Sequence, residues 1–222
     1  MVTIARKFGL FTVTVAVLCG ASSLRADVVY NNAVNDLQLR FGAQNGVQIG
    51  DQITLGGTSR LLTNFTCEYY GENFSGNEFA RIRLFQNDGP LFNGVANAPG
   101  TPIFDTGPIA ITSTIRSTVG WNWAVSDNVN VPNNFTWTIE FTGIESGEQA
   151  GLDLYAPVTV GQSYGDYWQL NGANWVLLQN TNGVTVNFAS LAQATVPEPS
   201  SLALLALGGI LGAFVWNRRR LG

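Results

Sequence analysis

The sequence predicts an all-β domain, a two-sheet antiparallel sandwich of jelly-roll type, set between an N-terminal signal peptide and a C-terminal transmembrane helix. Three observations predict the sandwich. Valine, isoleucine, threonine and aromatic residues abound between glycine- and asparagine-rich breaks, which suits a pleated, half-buried surface. Several windows alternate apolar and polar residues, and no stretch has a convincing helical period. The segments are short and regularly spaced, with no internal repeat of fixed length that would indicate a solenoid or propeller.

Taken from the N-terminus, residues 1–26 have the three parts of a secretory signal. Arg6 and Lys7 form its basic start, and residues 8–20 are apolar but too short to span a bilayer. Ser22, Ser23 and Ala26 supply small residues for cleavage after Ala26, although Leu24 is a poor −3 residue. Leu18 before Cys19, where a small residue is wanted, argues against lipid attachment. Residues 27–195 suit a single domain.

Within that domain, 135–142 has the clearest strand signal. Phe135, Trp137, Ile139 and Phe141 fall on one face, and Thr136, Thr138, Glu140 and Thr142 on the other, so it reads as half-buried. In 79–86, Ala80, Ile82 and Leu84 share a face opposite Arg81 and Arg83. Further strands are expected over 37–41, 52–55, 61–70, 109–119, 120–125, 152–160, 168–170, 175–179 and 184–191. Gly56-Gly57 and Asn87-Asp88-Gly89-Pro90 break the pattern. Asn171-Gly172 predicts a hairpin with Trp168 and Trp175 facing each other across it, and Asn182-Gly183 predicts a second. Residues 87–102 read as an exposed loop.

Charge and cysteine exclude several function classes. The five arginines and fourteen acids of 27–195, with no lysine, argue against a nucleic-acid partner. Cys67 is the one cysteine there, so no internal disulfide forms, and its parity with Phe65 and Tyr69 places it in a strand core. The chain has no histidine, which removes Ser-His-Asp triads, Cys-His pairs and the usual zinc sites. A carboxylate-only glycan hydrolase would draw on Glu68, Glu72 and Glu78 or on Glu140, Glu145 and Glu148. These glutamates read as loop and surface residues, and the expectation is a non-enzyme without catalytic residues.

A binding role has one local signature. Tyr164, Asp166, Tyr167, Trp168, Asn171, Asn174 and Trp175 combine aromatic faces with amides and a carboxylate, as glycan-binding surfaces do. The competing expectation is a hairpin whose aromatics are core. Trp121 and Trp123 share parity and also read as core. Asp51, Asp88, Asp105, Asp127, Asp153 and Asp166 offer oxygen ligands for calcium, but no Asp-x-Asp-x-Asp-Gly loop gathers them. No cofactor or metal is expected.

The C-terminal stretch carries the most specific signal. Val196-Pro197-Glu198-Pro199-Ser200 is stiff and non-helical. Residues 202–216 then run without a charge, about 22 Å as a helix, which is short for a hydrocarbon core of about 30 Å. Arg218, Arg219 and Arg220 follow and belong on the cytoplasmic side. The lack of a polar face argues against a buried amphipathic helix.

This order of motif, apolar run and basic end resembles the PEP-CTERM sorting signal of Gram-negative bacteria. The resemblance covers 196–222. It implies recognition by an exosortase-type membrane transpeptidase at Pro197, Glu198 and Pro199, with a transient inner-membrane intermediate. Release or attachment at the cell surface or extracellular matrix would follow. The overall plan also looks like that of bacterial "choice-of-anchor" ectodomains. The leading expectation is an exported, non-enzymatic surface or matrix protein. The alternatives are an exopolysaccharide-binding module and, after it, a glycan hydrolase.

Overall fold

The computed structural model describes residues 26–94, 96–179 and 184–195. The expected signal peptide up to residue 25, the expected turn at Asn182-Gly183, the Pro-Glu-Pro motif, the 202–216 run and Arg218–Arg220 lie outside the described residues. Almost every described element is an antiparallel strand. One sheet contains β1 (Asp27–Asn31), β2 (Asp36–Ala43), β4 (Leu61–Glu72), β10 (Thr114–Asn122), β12 (Gln149–Tyr155) and β16 (Ser190–Thr195). The second contains β3 (Gln48–Thr54), β5 (Phe79–Gln86), β8 (Pro102–Asp105), β9 (Ile109–Ala110), β11 (Asn134–Thr142), β13 (Gln162–Ser163), β14 (Asp166–Asn171) and β15 (Asn174–Gln179). A small hairpin joins β6 (Leu91–Phe92) to β7 (Ala96–Asn97), and a 3-10 turn spans Val125–Asp127.

The main pairings are nested. β5 pairs with β8, β4 with β10, β3 with β11 and β2 with β12. This is the order of one long antiparallel ribbon rolled so that alternate pairs enter alternate sheets. β16 adds to β4 beyond the end of β12, and β1 adds to β16.

One apolar core takes side chains from both sheets. Ile49, Ile53, Ala80, Ile82, Leu84, Phe135, Trp137, Ile139 and Phe141 come from one; Leu62, Phe65, Cys67, Tyr69, Leu152 and Ala192 come from the other. Phe65 and Trp137 meet across it with ring centroids 5.3 Å apart. Each such large side chain contributes roughly 1.5–3 kcal/mol by leaving water. Cys67 is buried here, and burial pushes its thiol well above the ordinary range.

Five expectations need correction. The polar face of 135–142 is covered as well, because Thr136 donates to Asn87 and Thr138 accepts from Gln48; β11 is a central strand buried on both faces. Residues 87–102 are more than an exposed loop: they form β6–β7 and bring Phe92 down onto Trp168. The boundary expected at residue 119/120 falls inside β10, a single strand paired along β4. The strand expected over 184–191 starts only at Ser190. Before it there is one isolated bridge, Phe188 with Leu154 of β12, made by Ala189 N–H to Asp153 O and Tyr155 N–H to Asn187 O, while Phe188 N–H donates to the Asp51 carboxylate. β12 stops at Tyr155, short of the expected 160, just before Pro157, which has no N–H to give.

Candidate functional site

The hairpin aromatics do not form one surface. β14 and β15 are joined by Gly172-Ala173, with Gly172 at φ +62°, as the first central position of a type II′ turn requires. Trp168 lies opposite Leu177 and Trp175 opposite Leu170, so the two indoles are diagonal neighbours on one face rather than a facing pair. Trp168 is fully buried, its ring 5.8 Å from Phe92 at 81°. Trp175 is half-buried against Phe85, 5.7 Å away. Tyr167 points to the opposite face and packs on Phe41 at 4.9 Å and Phe188 at 6.0 Å.

The polar members of that set are equally dispersed. Asp166 pairs with Gln179 at the far end of the hairpin, and burial raises its carboxyl. Asn171 and Asn174 flank the turn and are exposed. Tyr164 is 52 % exposed, with its hydroxyl 2.8 Å from Thr54 Oγ1 and accepting from Asn134 Nδ2 at 3.2 Å. Tyr164 and Asn171 line two different clefts, of about 390 and 490 Å³. Trp168 offers no face on which a ligand could stack.

A different aromatic group meets that requirement. β10 and β8 are edge strands of their sheets. Trp121 lies opposite Phe65, and Phe104 opposite Leu84, so both take the core-facing side of their strands. They and Trp123 close the lateral seam between the sheets. Phe104 stands 4.9 Å from Trp123 at 81° and 6.0 Å from Trp121 at 47°. Trp123 is buried, whereas Trp121 keeps 39 % of its surface in solvent. The cleft beside it measures about 660 Å³ and is also lined by Ile103, Asp127, Asn128, Val129 and Asn130.

The segment after β10 builds the polar wall. Asp127 accepts from Ala124 N–H at 2.9 Å and closes the 3-10 turn; Asn128, at φ +53°, reverses the chain. Leu62 N–H donates to Val129 O, and Val131 N–H to Arg60 O, tying this wall to β4. Asn130 Nδ2 donates to Asn128 Oδ1 at 2.9 Å, which fixes the two amides relative to each other. Parity alone read Trp121 and Trp123 as equally internal. The available signal was position: Trp121 comes at the end of its strand, followed by the polar turn Ser126-Asp127-Asn128.

The glutamates considered for hydrolysis each have a structural partner. Arg116 contacts Asp36 at 2.6 Å, Asp153 at 3.4 Å and Glu68 at 3.5 Å. Arg40 contacts Glu72 at 3.0 Å and Asp153 at 3.6 Å, and Tyr155 Oη donates to Glu68 at 2.7 Å. Glu78 accepts from the N–H groups of Ser75 and Gly76, and Glu140 pairs with Arg83 at 2.8 Å. Glu148 accepts from Glu145 N–H, and Glu145 accepts from Asn77 Nδ2. The aspartates are scattered too: Asp51 is in the core, Asp88 holds Thr101, and Asp105 takes Arg81 and Arg83. Among the described residues, no three acids or thiols converge to hold a metal ion.

The described ends of the chain meet. β1 and β16 pair antiparallel with Asp27 opposite Ala194, so the start of β1 and the end of β16 lie at the same end of the fold. Thr195, 2 % exposed, is opposite Leu61, and Leu61 bridges Asn130 on its other side. The seam cleft thus begins two strand spacings, roughly 10 Å, from the point where the chain continues past β16. Among the described residues, no helix is long and apolar enough to cross a membrane. No curated protein and no solved structure matches the chain. Residues 195–220, beginning at the last residue of β16, match the family model of the PEP-CTERM protein-sorting motif, so the chain carries that sorting motif at its C-terminal end.

Proposed function

We propose that this is an exported, non-enzymatic cell-surface or extracellular-matrix protein of a Gram-negative bacterium. A signal peptide over 1–26 exports it, and the apolar helix 202–216 with Arg218–Arg220 holds it in the inner membrane for a time. An exosortase-type transpeptidase then recognises Pro197, Glu198 and Pro199. The observation that carries this reading is the motif match starting at Thr195, the last residue of β16. The β1–β16 pairing supports it, because both membrane-directed ends leave one end of the domain. The nested strand order supports a two-sheet sandwich of jelly-roll type as the ectodomain. The engagement of the glutamates in ion pairs and loop hydrogen bonds supports a role without catalysis, and the acidic domain supports the absence of a nucleic-acid partner.

The test is the intact mass of the protein from membrane, surface and medium fractions of a host with the sorting machinery. The expected surface or medium species lacks residues 1–26 and everything after the Pro-Glu-Pro motif, plus the mass of any attached group. A membrane species that keeps 202–222 at steady state would overturn processing and leave a tail-anchored ectodomain.

A further inference from the structure

We infer that the seam cleft at Trp121 binds a neutral, flat pyranose chain, with Trp121 as the stacking platform and Asp127, Asn128 and Asn130 as the hydroxyl readers. The argument starts from what the cleft presents. One wall is aromatic, with Trp121 exposed and set against Phe104, which in turn packs on Trp123. The other wall carries a carboxylate and two amides. A ligand matching both walls needs an apolar face and a polar rim on the same ring. A β-1,4-linked pyranose has that form, with C–H bonds on its flat faces and hydroxyls around its edge.

The charge and chemistry of the lining narrow the class. Asp127 is its one ionisable residue, so an anionic ligand such as a phosphate or uronate would meet a carboxylate and no cation. A single carboxylate is also too few oxygen donors for a calcium site. The volume of about 660 Å³ falls in the range of small-ligand sites, and the cleft lies open along the edge strands, where a chain can pass.

Rigidity favours the same reading. Trp123 N–H donates to Thr63 O and Leu62 N–H to Val129 O, which anchors both sides of the cleft to the central strand β4. Trp121 therefore needs little ordering when a ligand arrives, and the cost of binding falls accordingly. None of this depends on sorting, since the cleft consists of described residues on the folded domain.

The experiment uses the full chain in mild detergent, titrated with cellotetraose and with chitotetraose by isothermal calorimetry. Saturable binding of at least one is expected. Trp121→Ala should weaken it at least tenfold, and Asp127→Asn severalfold. Trp175→Ala, in the other aromatic group, should bind as the parent does. Circular dichroism shows whether each variant folds; should Trp121→Ala unfold, Asp127→Asn decides. Absence of binding to either tetrasaccharide would overturn the inference, as would parental affinity in Trp121→Ala or, where that variant is unfolded, in Asp127→Asn.

Discussion

The two aromatic groups are built from the same residue types and meet opposite fates. In the hairpin, Trp168 is sealed and Trp175 half-sealed because the 87–102 segment and β5 bring Phe92 and Phe85 onto them. At the seam, Trp123 is sealed by Phe104 while Trp121 is left in solvent. The difference lies in what covers the face, not in the residues that form it. Strand parity gives the face a side chain takes. Whether a further segment lies on that face is a tertiary fact, and it separates a structural indole from an available one.

Truncating the hairpin indole is the strongest way to break this comparison. Trp168→Ala removes a fully buried side chain and should cost about 3–5 kcal/mol in urea unfolding. A cost below about 1 kcal/mol would mean that Phe92 does not close the site. Phe92→Ala should recover part of that loss in a double-mutant cycle, with a coupling of about 0.5–1.5 kcal/mol for the edge-to-face pair.

How much of this was legible in the sequence follows the same line. The alternation of Phe135, Trp137, Ile139 and Phe141 placed β11 and its core face correctly, and Cys67 fell where its parity put it. Thr136 and Thr138 looked solvated because nothing local announces that Asn87 and Gln48 will cover them. Residues 184–189 look like a strand by composition, yet they make one isolated bridge, Phe188 with Leu154, and the Phe188 N–H is taken by the Asp51 side chain. The sorting tail needed no fold to be read, since its motif, apolar run and basic end are all local. A glycan-binding surface was sought at the densest aromatic cluster, and there the structure buries Trp168 and packs Tyr167 on Phe41 and Phe188.

The strand beside the hairpin, β3, also carries a buried acid. Asp51 takes the core-facing register opposite Trp137, accepts from Phe188 N–H at 2.7 Å, and has no partner for Oδ1 among the described residues. Burial raises its carboxyl well above the usual range, and Asp166 adds to the rise, so the folded protein holds this proton after the unfolded chain has lost it. The folded state then binds more protons than the unfolded one, and stability falls as pH climbs from about 4 toward the raised folded value. Denaturant midpoints at several pH values should show a slope that Asp51→Asn flattens, with a smaller effect than loss of Trp168. A parental slope in Asp51→Asn would place the titrating group elsewhere.

The smallest expected effect is the most informative about function. Trp121 sits at the seam with 39 % of its surface already in water, so its loss uncovers less apolar surface than that of a sealed indole and leaves Phe104 packed on Trp123. Trp121→Ala should therefore cost about 1–2 kcal/mol in urea unfolding, below the range of a fully buried aromatic. Trp123→Ala, two residues on and buried, should cost several times more. A modest cost at Trp121 beside a large one at Trp123 leaves packing with less claim on the exposed indole. If instead the two truncations cost the same, Trp121 is a structural plug like Trp168, and the contrast between the two aromatic groups is only one of degree.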